Sequence, residues 1–285
     1  MIKKINYFFQ AILIYFLFLI GLMLGLKLSR IFFSTLFSYF GPFFKSKIVI
    51  NKNLNIFIPN IPNDKKNKII NNMWKNYGKT FIEYIFLKKL KNQEQLIEII
   101  NENNLIDIIK KDKPVIFISG HFANFELMSM TIVNKNIKLA TIYRPLNNFF
   151  LNFFMEFLRK KYVCKNQIKK GIKGVRQAIQ YIKEGHSIAL MIDQRVSEGE
   201  KINFFGKTAF TTTLPAQLAQ KFNLKIVPVF LERTQDDKFK ISFYKEIDPN
   251  NYKNKLEISI KLNQIIESMI SKNPNQWIWT HNRWK

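Results

Sequence analysis

A run of 22 residues near the start of the chain, from Ile5 to Leu26, contains no charged side chain. As an α-helix this run would rise about 33 Å, enough to cross the roughly 30 Å hydrocarbon core of a bilayer. A cleaved signal peptide is the alternative, because Lys3 and Lys4 provide a basic start. The run is longer than a usual signal core, however, and no small-x-small cleavage site follows it before Lys27. The sequence therefore predicts an uncleaved membrane-anchoring helix.

A second charge-free stretch, Ile31 to Phe44, is broken by Gly41 and Pro42 and is too short to span a bilayer. It predicts a shallow helical elbow at the membrane interface. We therefore divide the chain into a membrane anchor with an interfacial segment, residues 1–44, and one folded domain, residues 45–285. Basic residues flank the anchor on both sides, so the charge rule for membrane orientation is indecisive.

The chain is strongly basic, with 45 basic and 20 acidic residues and a formal net charge of +25. This charge predicts an anionic partner: a nucleic acid, an acidic membrane surface, an acidic carrier protein or a phosphorylated substrate. The basic residues are spread along the chain rather than held in one arm, which gives little support to nucleic acid, and we expect none.

The single cysteine, Cys164, rules out an internal disulfide and fits a reducing compartment. Together with the basic domain it favours the cytoplasmic side of the membrane. One cysteine and three scattered histidines cannot assemble a zinc-type cluster, so we expect no metal and no cofactor.

Beyond the anchor, apolar segments of strand length alternate with segments of helical periodicity. Strands are predicted at 114–119, 138–143, 187–192, 225–231 and 238–244, and a loop or hairpin at 201–210. Helices are predicted within 64–109 and at 149–159, 171–184, 213–222 and 254–271. Pro228 suggests that its strand lies at an edge or contains a bulge. The alternation predicts an α/β fold with a largely parallel sheet flanked by helices.

The first of these strands ends in Gly120 and His121, and Glu126 follows five residues after the histidine. Gly120 permits a sharp turn, which would leave His121 at the carboxyl edge of the sheet and bring Glu126 back toward one imidazole nitrogen. Such a pair can remove a proton from a hydroxyl. The alternative is a structural histidine, because on one helix a spacing of five sets two side chains about 140° apart. The catalytic interpretation requires His121 to precede the helix.

Further polar groups follow other predicted strands. Arg144 follows the strand at 138–143, and the run from Asp193 to Arg195 follows the strand at 187–192. Functional loops of α/β proteins gather at the carboxyl ends of the strands. The convergence of these groups favours the catalytic interpretation of His121.

Five sequence blocks occur in a specific order: Gly120 to Glu126, Tyr143 to Asn148, Asp193 with Gln194, Phe204 to Gly206, and Gln276 to Trp284. In order and spacing they resemble the lipid A biosynthesis (lauroyl/myristoyl) acyltransferase family. This family is one branch of the membrane acyltransferases with a His-x4-Asp/Glu motif, and the resemblance runs from the anchor to the last residue.

The resemblance implies a glycerol-phosphate-acyltransferase-like fold at the cell inner membrane. It implies transfer of a fatty acyl chain from an acyl carrier protein thioester to a hydroxyl of a lipid A precursor, beside an anionic membrane surface. It assigns His121 and Glu126 to catalysis, with His121 as general base and Glu126 holding its tautomer. Arg144 would contact a phosphate or an oxyanion, and a structural salt bridge is its alternative.

The remaining residues of the blocks are candidates for substrate binding. Asn124 would donate to the oxyanion or cap the helix that follows, and Asp193, beside Gln194, would orient Arg144 or another basic neighbour. Phe205 and Gly206, with the terminal tryptophans, would wall an acyl tunnel, and ordinary core is the alternative for any one aromatic.

One departure bears on the acceptor. Glycerol-phosphate acyltransferases carry Phe-Pro-Glu-Gly after the third strand, whereas this chain has Met191-Ile192-Asp193-Gln194-Arg195. A saccharolipid acceptor is therefore favoured over a glycerol-phosphate one. Two other interpretations stay open: an acyltransferase for another membrane lipid, such as a lysophospholipid or a glycolipid, and a non-enzymatic membrane-tethered protein that binds an anionic ligand.

Overall fold

The computed structural model describes residues 2–111 and 113–285, and all statements below concern these residues. Their helices are α1 Ile2–Phe44, α2 Lys47–Phe57, α3 Asn63–Glu83, α4 Leu87–Asn92, α5 Glu102–Lys111, α6 Glu126–Asn134, α7 Phe149–Leu158, α8 Ile172–Lys183, α9 Leu214–Phe222 and α10 Lys255–Lys272. Their strands are β1 Ile97–Ile100, β2 Ile116–Ser119, β3 Leu139–Tyr143, β4 Asn166–Lys169, β5 Ser187–Met191, β6 Glu200–Phe204, β7 Lys207–Thr211, β8 Ile226–Arg233 and β9 Phe239–Phe243.

A seven-stranded sheet forms the centre of the described residues, in the order β1-β9-β8-β2-β5-β3-β4. The strands from β8 to β4 run parallel to one another, and β9 pairs antiparallel with β8. Five strands therefore end at the same edge, where the chain continues into the loops after β2, β3 and β5. This topology confirms the prediction of a largely parallel α/β sheet.

Apolar side chains fill both faces of the sheet, as expected for strands that are covered by helices on both sides. On one face Ile116 and Ile188 pack with buried residues of α3, α8, α9 and α10. On the other face Phe117 and Ala189 pack with buried residues of α4, α5 and α6. The middle strands are thereby held rigidly, and so are the loops that leave their carboxyl ends.

Helix α1 is long and apolar enough to cross a membrane by length and composition. Gly25 interrupts its helical geometry with φ 69° and ψ 169°, a conformation that only glycine adopts readily. The helix continues through Gly41 and Pro42 to Phe44, so the break predicted at that pair lies instead at Gly25.

The half of α1 beyond Gly25 packs on α3. The carbonyl of Phe33 lies so close to Gly78 that a side chain there would collide with it, and the ring of Trp74 lies equally close to Gly41. Arg30, in the same half, pairs with Glu83 at the end of α3. The division into residues 1–44 and 45–285 stays a prediction, and these contacts join the second half of α1 to the folded domain.

Three details of the sheet differ from the expectations. Strand β1, Ile97–Ile100, lies within the segment 64–109 that was predicted to be helical, so that prediction is wrong there; four residues are too few to distinguish the two periodicities. Strand β4, Asn166–Lys169, is short and mostly polar and was not predicted. Pro228 lies in an interior strand rather than at an edge. Its missing N–H is tolerated because the pairing of β8 with β2 ends at Pro228 and the pairing with β9 begins at Val229.

Candidate active site

A tight loop, residues 120–125, connects β2 to α6. A side chain at Gly120 would lie 2.7 Å from the Phe122 ring and 3.3 Å from Cγ of Asp193, so only glycine fits there. Ala123 has a positive φ of 43°. Its N–H donates to the carbonyl of Gln276 and its carbonyl accepts from the Thr80 hydroxyl, at 3.2 and 2.9 Å. The loop is therefore fixed by α3 and by the carboxyl-terminal segment.

His121 is held by Asp193, which follows β5. The backbone N–H of His121 donates to one carboxylate oxygen of Asp193 at 2.9 Å, and the ring nitrogen Nδ1 lies 2.8 Å from the other. Because an ionised carboxylate only accepts hydrogen bonds, Nδ1 carries the proton and Nε2 is left as an acceptor. The expectation that Asp193 would orient Arg144 is replaced by a direct contact with the histidine.

Asp193 is itself fixed and ionised. Burial alone would raise its pKa, but the charge and hydrogen bonds of His121, together with a 2.8 Å hydrogen bond from the Trp277 indole, hold the pKa at about 2. A buried carboxylate on Nδ1 both fixes the imidazole ring and stabilises the imidazolium that forms when Nε2 takes a proton.

The imidazole of His121 borders a small cavity. Its side chain is 19% exposed, and Nε2 has no hydrogen-bond partner among residues 2–111 and 113–285. The cavity has a volume of about 30 Å³ and is lined by Asn76, Tyr77, Thr80, His121, Ala123, Phe125, Gln276 and Ile278. The Phe125 ring meets the imidazole edge to face at 4.7 Å. A space of this size takes a hydroxyl or one water molecule beside the histidine.

Glu126 does not hydrogen-bond to His121, contrary to the expectation. It is the first residue of α6, and its carboxylate accepts from Nε of Arg159 and from the Tyr84 hydroxyl, both at 2.7 Å. Burial raises the pKa of Tyr84, so the phenol stays a donor to the carboxylate. Glu126, the acid that follows His121 in sequence, thus orients Arg159. Asp193, which follows the neighbouring strand β5, orients His121. The catalytic role of Glu126 stays a prediction.

A third buried carboxylate, Glu83, lies behind the loop. It accepts from Nε of Arg30 at 2.6 Å, from Nδ2 of Asn124 at 2.9 Å and from both terminal nitrogens of Arg233. Burial would raise the pKa of Glu83, but the two arginines and Asn124 outweigh it and lower the pKa. Asn124 is 1% exposed, donates its amide N–H to Glu83 and does not cap α6, and its contact with an oxyanion stays a prediction.

Arg144 and Lys170 lie side by side where β3 and β4 end. Tyr143 and Lys169 are register partners, and Lys170 donates its backbone N–H to the Tyr143 carbonyl at 2.9 Å. Partial desolvation and the nearby charge of Arg144 lower the pKa of Lys170. Arg144 is exposed and forms no ion pair with any described residue, so the alternative of a structural salt bridge is not realised there.

His281 is a second histidine near this edge of the sheet. Its Nε2 accepts the backbone N–H of Arg195 at 2.9 Å. Burial lowers the pKa of His281 to about 4, and the charges of Arg283 and Arg144 act in the same direction, against an opposing effect of Asp193. His281 is therefore neutral near pH 7 and ties the terminal segment to the loop after β5.

The other predicted substrate residues lie in different surroundings. Gln194 is half-buried beside Asp193. Phe205 and Gly206 form the two-residue tip of the β6–β7 hairpin, both with positive φ, and the Phe205 ring packs against Phe57. Substrate binding by these three residues stays a prediction.

The aromatic side chains proposed for a tunnel are mostly core. Phe204, Trp277 and Trp279 are at most 1% exposed, which supports the ordinary-core alternative. Trp284 packs on Phe204 with ring centroids 5.6 Å apart. Gln276, just before Trp277, and Ile278, between Trp277 and Trp279, are the residues of the terminal segment that border the cavity.

The sequence reasoning missed Glu83, Arg233, Tyr84 and Arg159. Glu83, Tyr84 and Arg159 lie in segments predicted to be helical. Arg233 follows the predicted strand at 225–231, but nothing in the sequence links it to Glu83. Among the described residues no group of histidine, cysteine and carboxylate side chains is suited to hold a metal ion.

The chain is similar to several known proteins. The model of the bacterial lipid A biosynthesis acyltransferase family matches residues 2–285. The lipid A biosynthesis acyltransferase of Haemophilus influenzae is 23% identical over 264 residues, which cover 89% of this chain and 82% of that relative. Among solved structures, the 1-acyl-sn-glycerophosphate (LPA) acyltransferase PlsC of Thermotoga maritima matches with a TM-score of 0.43 and 14% identity, over 89% of this chain and 96% of that chain.

Proposed function

We propose that this chain, which belongs to the bacterial lipid A biosynthesis acyltransferase family and is an acyltransferase, moves a fatty acyl group from an acyl carrier protein thioester to a hydroxyl of a lipid A precursor. Membership of this family makes the non-enzymatic interpretation wrong. The donor, the acceptor and the mechanism below are our proposal.

One observation supports the mechanism above all others: the His121–Asp193 pair. Asp193 binds both the backbone and Nδ1 of the histidine, and Nε2 has no hydrogen-bond partner among the described residues. A histidine fixed in this tautomer is suited to act as a general base on a hydroxyl. No nucleophile from the enzyme is needed, because the acceptor hydroxyl itself attacks the thioester.

The reaction proceeds by addition and elimination. Nε2 of His121 takes the hydroxyl proton as the hydroxyl oxygen bonds to the thioester carbonyl carbon, and the carbonyl oxygen becomes an oxyanion. The C–S bond then breaks, the carbonyl reforms as an ester, and the imidazolium returns its proton to the departing thiolate. Asp193 stays ionised throughout and stabilises the imidazolium.

Charge supports an acidic donor and a phosphorylated acceptor. The chain carries a net charge of +25, which attracts an acidic carrier protein and an anionic membrane surface. Arg144 and Lys170 form a pair of cations at the edge of the sheet where His121 lies, and a planar guanidinium binds phosphate oxygens well. These two residues are our candidates for contact with a phosphate of the acceptor.

The apolar half of α1 supports attachment to a membrane. Residues 5–26 carry no charge, and α1 is long enough to cross a bilayer. We place the enzyme at the cell inner membrane, with one amino-terminal anchor and the catalytic domain on the cytoplasmic side.

The test uses the purified full chain in lipid nanodiscs. Radiolabelled acyl carrier protein thioester and acyl coenzyme A are compared as donors, and a lipid A precursor is compared with lysophosphatidic acid as acceptor. We expect transfer to the lipid A precursor from the carrier protein, lost in His121→Ala. Transfer to lysophosphatidic acid alone would support the other membrane-lipid interpretation and overturn the proposed acceptor.

A further inference from the structure

Helix α7 presents a row of exposed phenylalanines. Phe149, Phe153 and Phe157, spaced four residues apart, are 51%, 82% and 51% exposed and share one side of the helix. Leu151, Met155 and Leu158 are buried on the opposite side. Exposure of three large aromatic side chains in a row to water is unfavourable, so we expect an apolar partner to cover them.

Helix α7 also contacts the membrane-anchoring half of α1, through Asn148, Phe150 and Phe154. Asn148, which caps α7, donates Nδ2 to the carbonyl of Tyr7 at 2.7 Å. The Tyr15 hydroxyl donates to the carbonyl of Phe150 at 2.9 Å, and Phe154 packs against Phe18 with ring centroids 5.9 Å apart. Helix α7 therefore lies beside residues 7–18 of α1, inside the charge-free run.

The same part of α1 has its own exposed apolar side chains. Phe9, Leu13 and Phe16 are 62%, 56% and 57% exposed, as expected for residues that face lipid. Phe8, which is 47% exposed, packs its ring against Phe150 at 5.6 Å, and Phe150 packs against Phe149 at 4.0 Å. Through these rings the apolar surface of α1 continues into the phenylalanine row of α7.

We propose that α7 is a second membrane-inserted element, whose phenylalanine row enters the lipid of the leaflet on the catalytic side. This inference rests on the proposed anchor. With 10 residues, α7 rises about 15 Å, which is too short to cross the bilayer but is about half of its hydrocarbon thickness. The helix therefore inserts from one side and does not span.

The charges around α7 fit a lipid occupant. Glu156 is the one acidic residue of the helix and is neutralised by Lys160 and Lys169, at 3.0 and 3.4 Å. Lys160 and Lys161 come just after the end of α7, past Arg159, and are exposed. Basic side chains at the end of an apolar helix extend toward the anionic headgroups, whereas two copies of this basic end would repel each other in a dimer.

Insertion of α7 would bring the membrane close to the catalytic loop. Helix α7 runs directly into a π-helical turn that begins at Arg159, and Arg159 is the partner of Glu126 at the end of that loop. A lipid acceptor in the same leaflet would then reach His121 without leaving the bilayer.

The test places an environment-sensitive fluorophore at single introduced cysteines in the full chain in nanodiscs. Phe153→Cys reports on α7, Phe16→Cys on α1, and Ile260→Cys, 40% exposed on α10 at the opposite face of the sheet, is the matched control. The native Cys164 is 3% exposed and its pKa is raised by burial to about 11, so it reacts poorly. The nanodiscs contain phosphatidylcholine and phosphatidylglycerol, with and without spin-labelled lipid.

We expect the probes at 153 and 16 to emit at shorter wavelength than the probe at 260 and to be quenched by spin-labelled lipid. A water-like, unquenched probe at 153 beside a quenched probe at 16 overturns the inference and leaves the anchor proposal standing. Unquenched probes at both positions overturn both. A disulfide-linked dimer of Phe153→Cys, absent from Ile260→Cys, would show that a second copy covers the row and would also overturn the inference.

Discussion

His121 and Asp193 occupy equivalent positions on two adjacent parallel strands, each two residues past the strand's last residue. The register pairs Ser119 with Met191, a separation of 72 residues, and the same separation joins His121 to Asp193. The hydrogen bond from Ile192 to the Ser119 carbonyl carries that register beyond the strands. The His121–Asp193 pair is thus a continuation of the sheet's own pairing, and the sheet sets its geometry.

The first prediction concerns this pair. His121→Ala should lower turnover by roughly 10²–10⁴-fold, because general-base assistance is typically worth that much. Asp193→Asn should have an effect of similar order, because the amide can donate to Nδ1 and favour the tautomer whose Nε2 cannot accept a proton. Steady-state acyl transfer measures both.

His186 provides the control for this prediction. It directly precedes β5 at the opposite edge of the sheet, where its ring packs against Tyr181. His186→Ala should keep wild-type turnover, and circular dichroism should show all three variants folded. Near wild-type turnover of His121→Ala would remove the histidine from the mechanism.

The second prediction separates the two acids. Glu126→Ala leaves the buried Arg159 unpaired, which costs about 3–5 kcal/mol when one partner of a buried ion pair is removed. Its thermal midpoint should therefore fall by more than that of Asp193→Asn. The double variant Glu126→Leu with Arg159→Met should recover much of the midpoint, because apolar residues of similar size tolerate burial.

Turnover of the recovered double variant then decides the role of Glu126. If Glu126 and Arg159 only support the fold, the stable double variant transfers acyl groups. Continued inactivity at full stability would assign the pair to the reaction, and an unchanged midpoint in Glu126→Ala would contradict the buried ion pair.

The third prediction concerns Arg144 and ionic strength. Association with an acidic carrier should weaken as salt is added, since the Debye length is already about 8 Å at physiological ionic strength. Arg144→Lys keeps the charge but loses the bidentate guanidinium, so its turnover should be lower at every salt concentration. Equal turnover of Arg144→Lys and the wild type at low salt would mean that Arg144 contributes only long-range attraction.

The fourth prediction concerns His281 and pH. Its pKa in the folded chain is about 4, below the roughly 6.5 of an unfolded histidine. The unfolded chain therefore binds the proton first, and the stability that neutral His281 contributes above pH 6.5 is lost as the pH falls toward 4. Between pH 7.5 and 4.5 the thermal midpoint of the wild type should drop a few degrees further than that of His281→Gln. Parallel curves for the two proteins would contradict the buried, neutral state of His281.

The sequence was sufficient to predict the apolar strands of the central sheet and to predict that His121, Arg144 and Asp193 follow them. It was insufficient for the partners of these residues, because the order of strands in a sheet depends on tertiary packing. Glu126 was chosen for its proximity in sequence, yet the start of α6 turns its carboxylate toward Arg159 and Tyr84. Asp193, 72 residues away, is brought to His121 by the pairing of β2 with β5.

The buried network at Glu83 had no signal in the sequence. Its members come from the first helix, the end of α3, the catalytic loop and the end of β8, so no spacing rule links them. A charged residue within a basic, lysine-rich chain gives no sign that it will be fully buried. Only the three-dimensional arrangement shows that Arg30 and Asn124 share one carboxylate.

That shared carboxylate has a consequence for how the enzyme would meet its substrates. Arg30 lies only four residues after the charge-free run that ends at Leu26, beyond the break at Gly25, and through Glu83 it is one side chain away from the loop that carries His121. If α1 crosses the bilayer as we propose, no flexible linker separates the domain from the anchor, and the domain cannot move away from the membrane surface. Its height and tilt above the headgroups are constant, so the lipid acceptor finds it by a two-dimensional search within the leaflet. The soluble donor alone has to search in three dimensions.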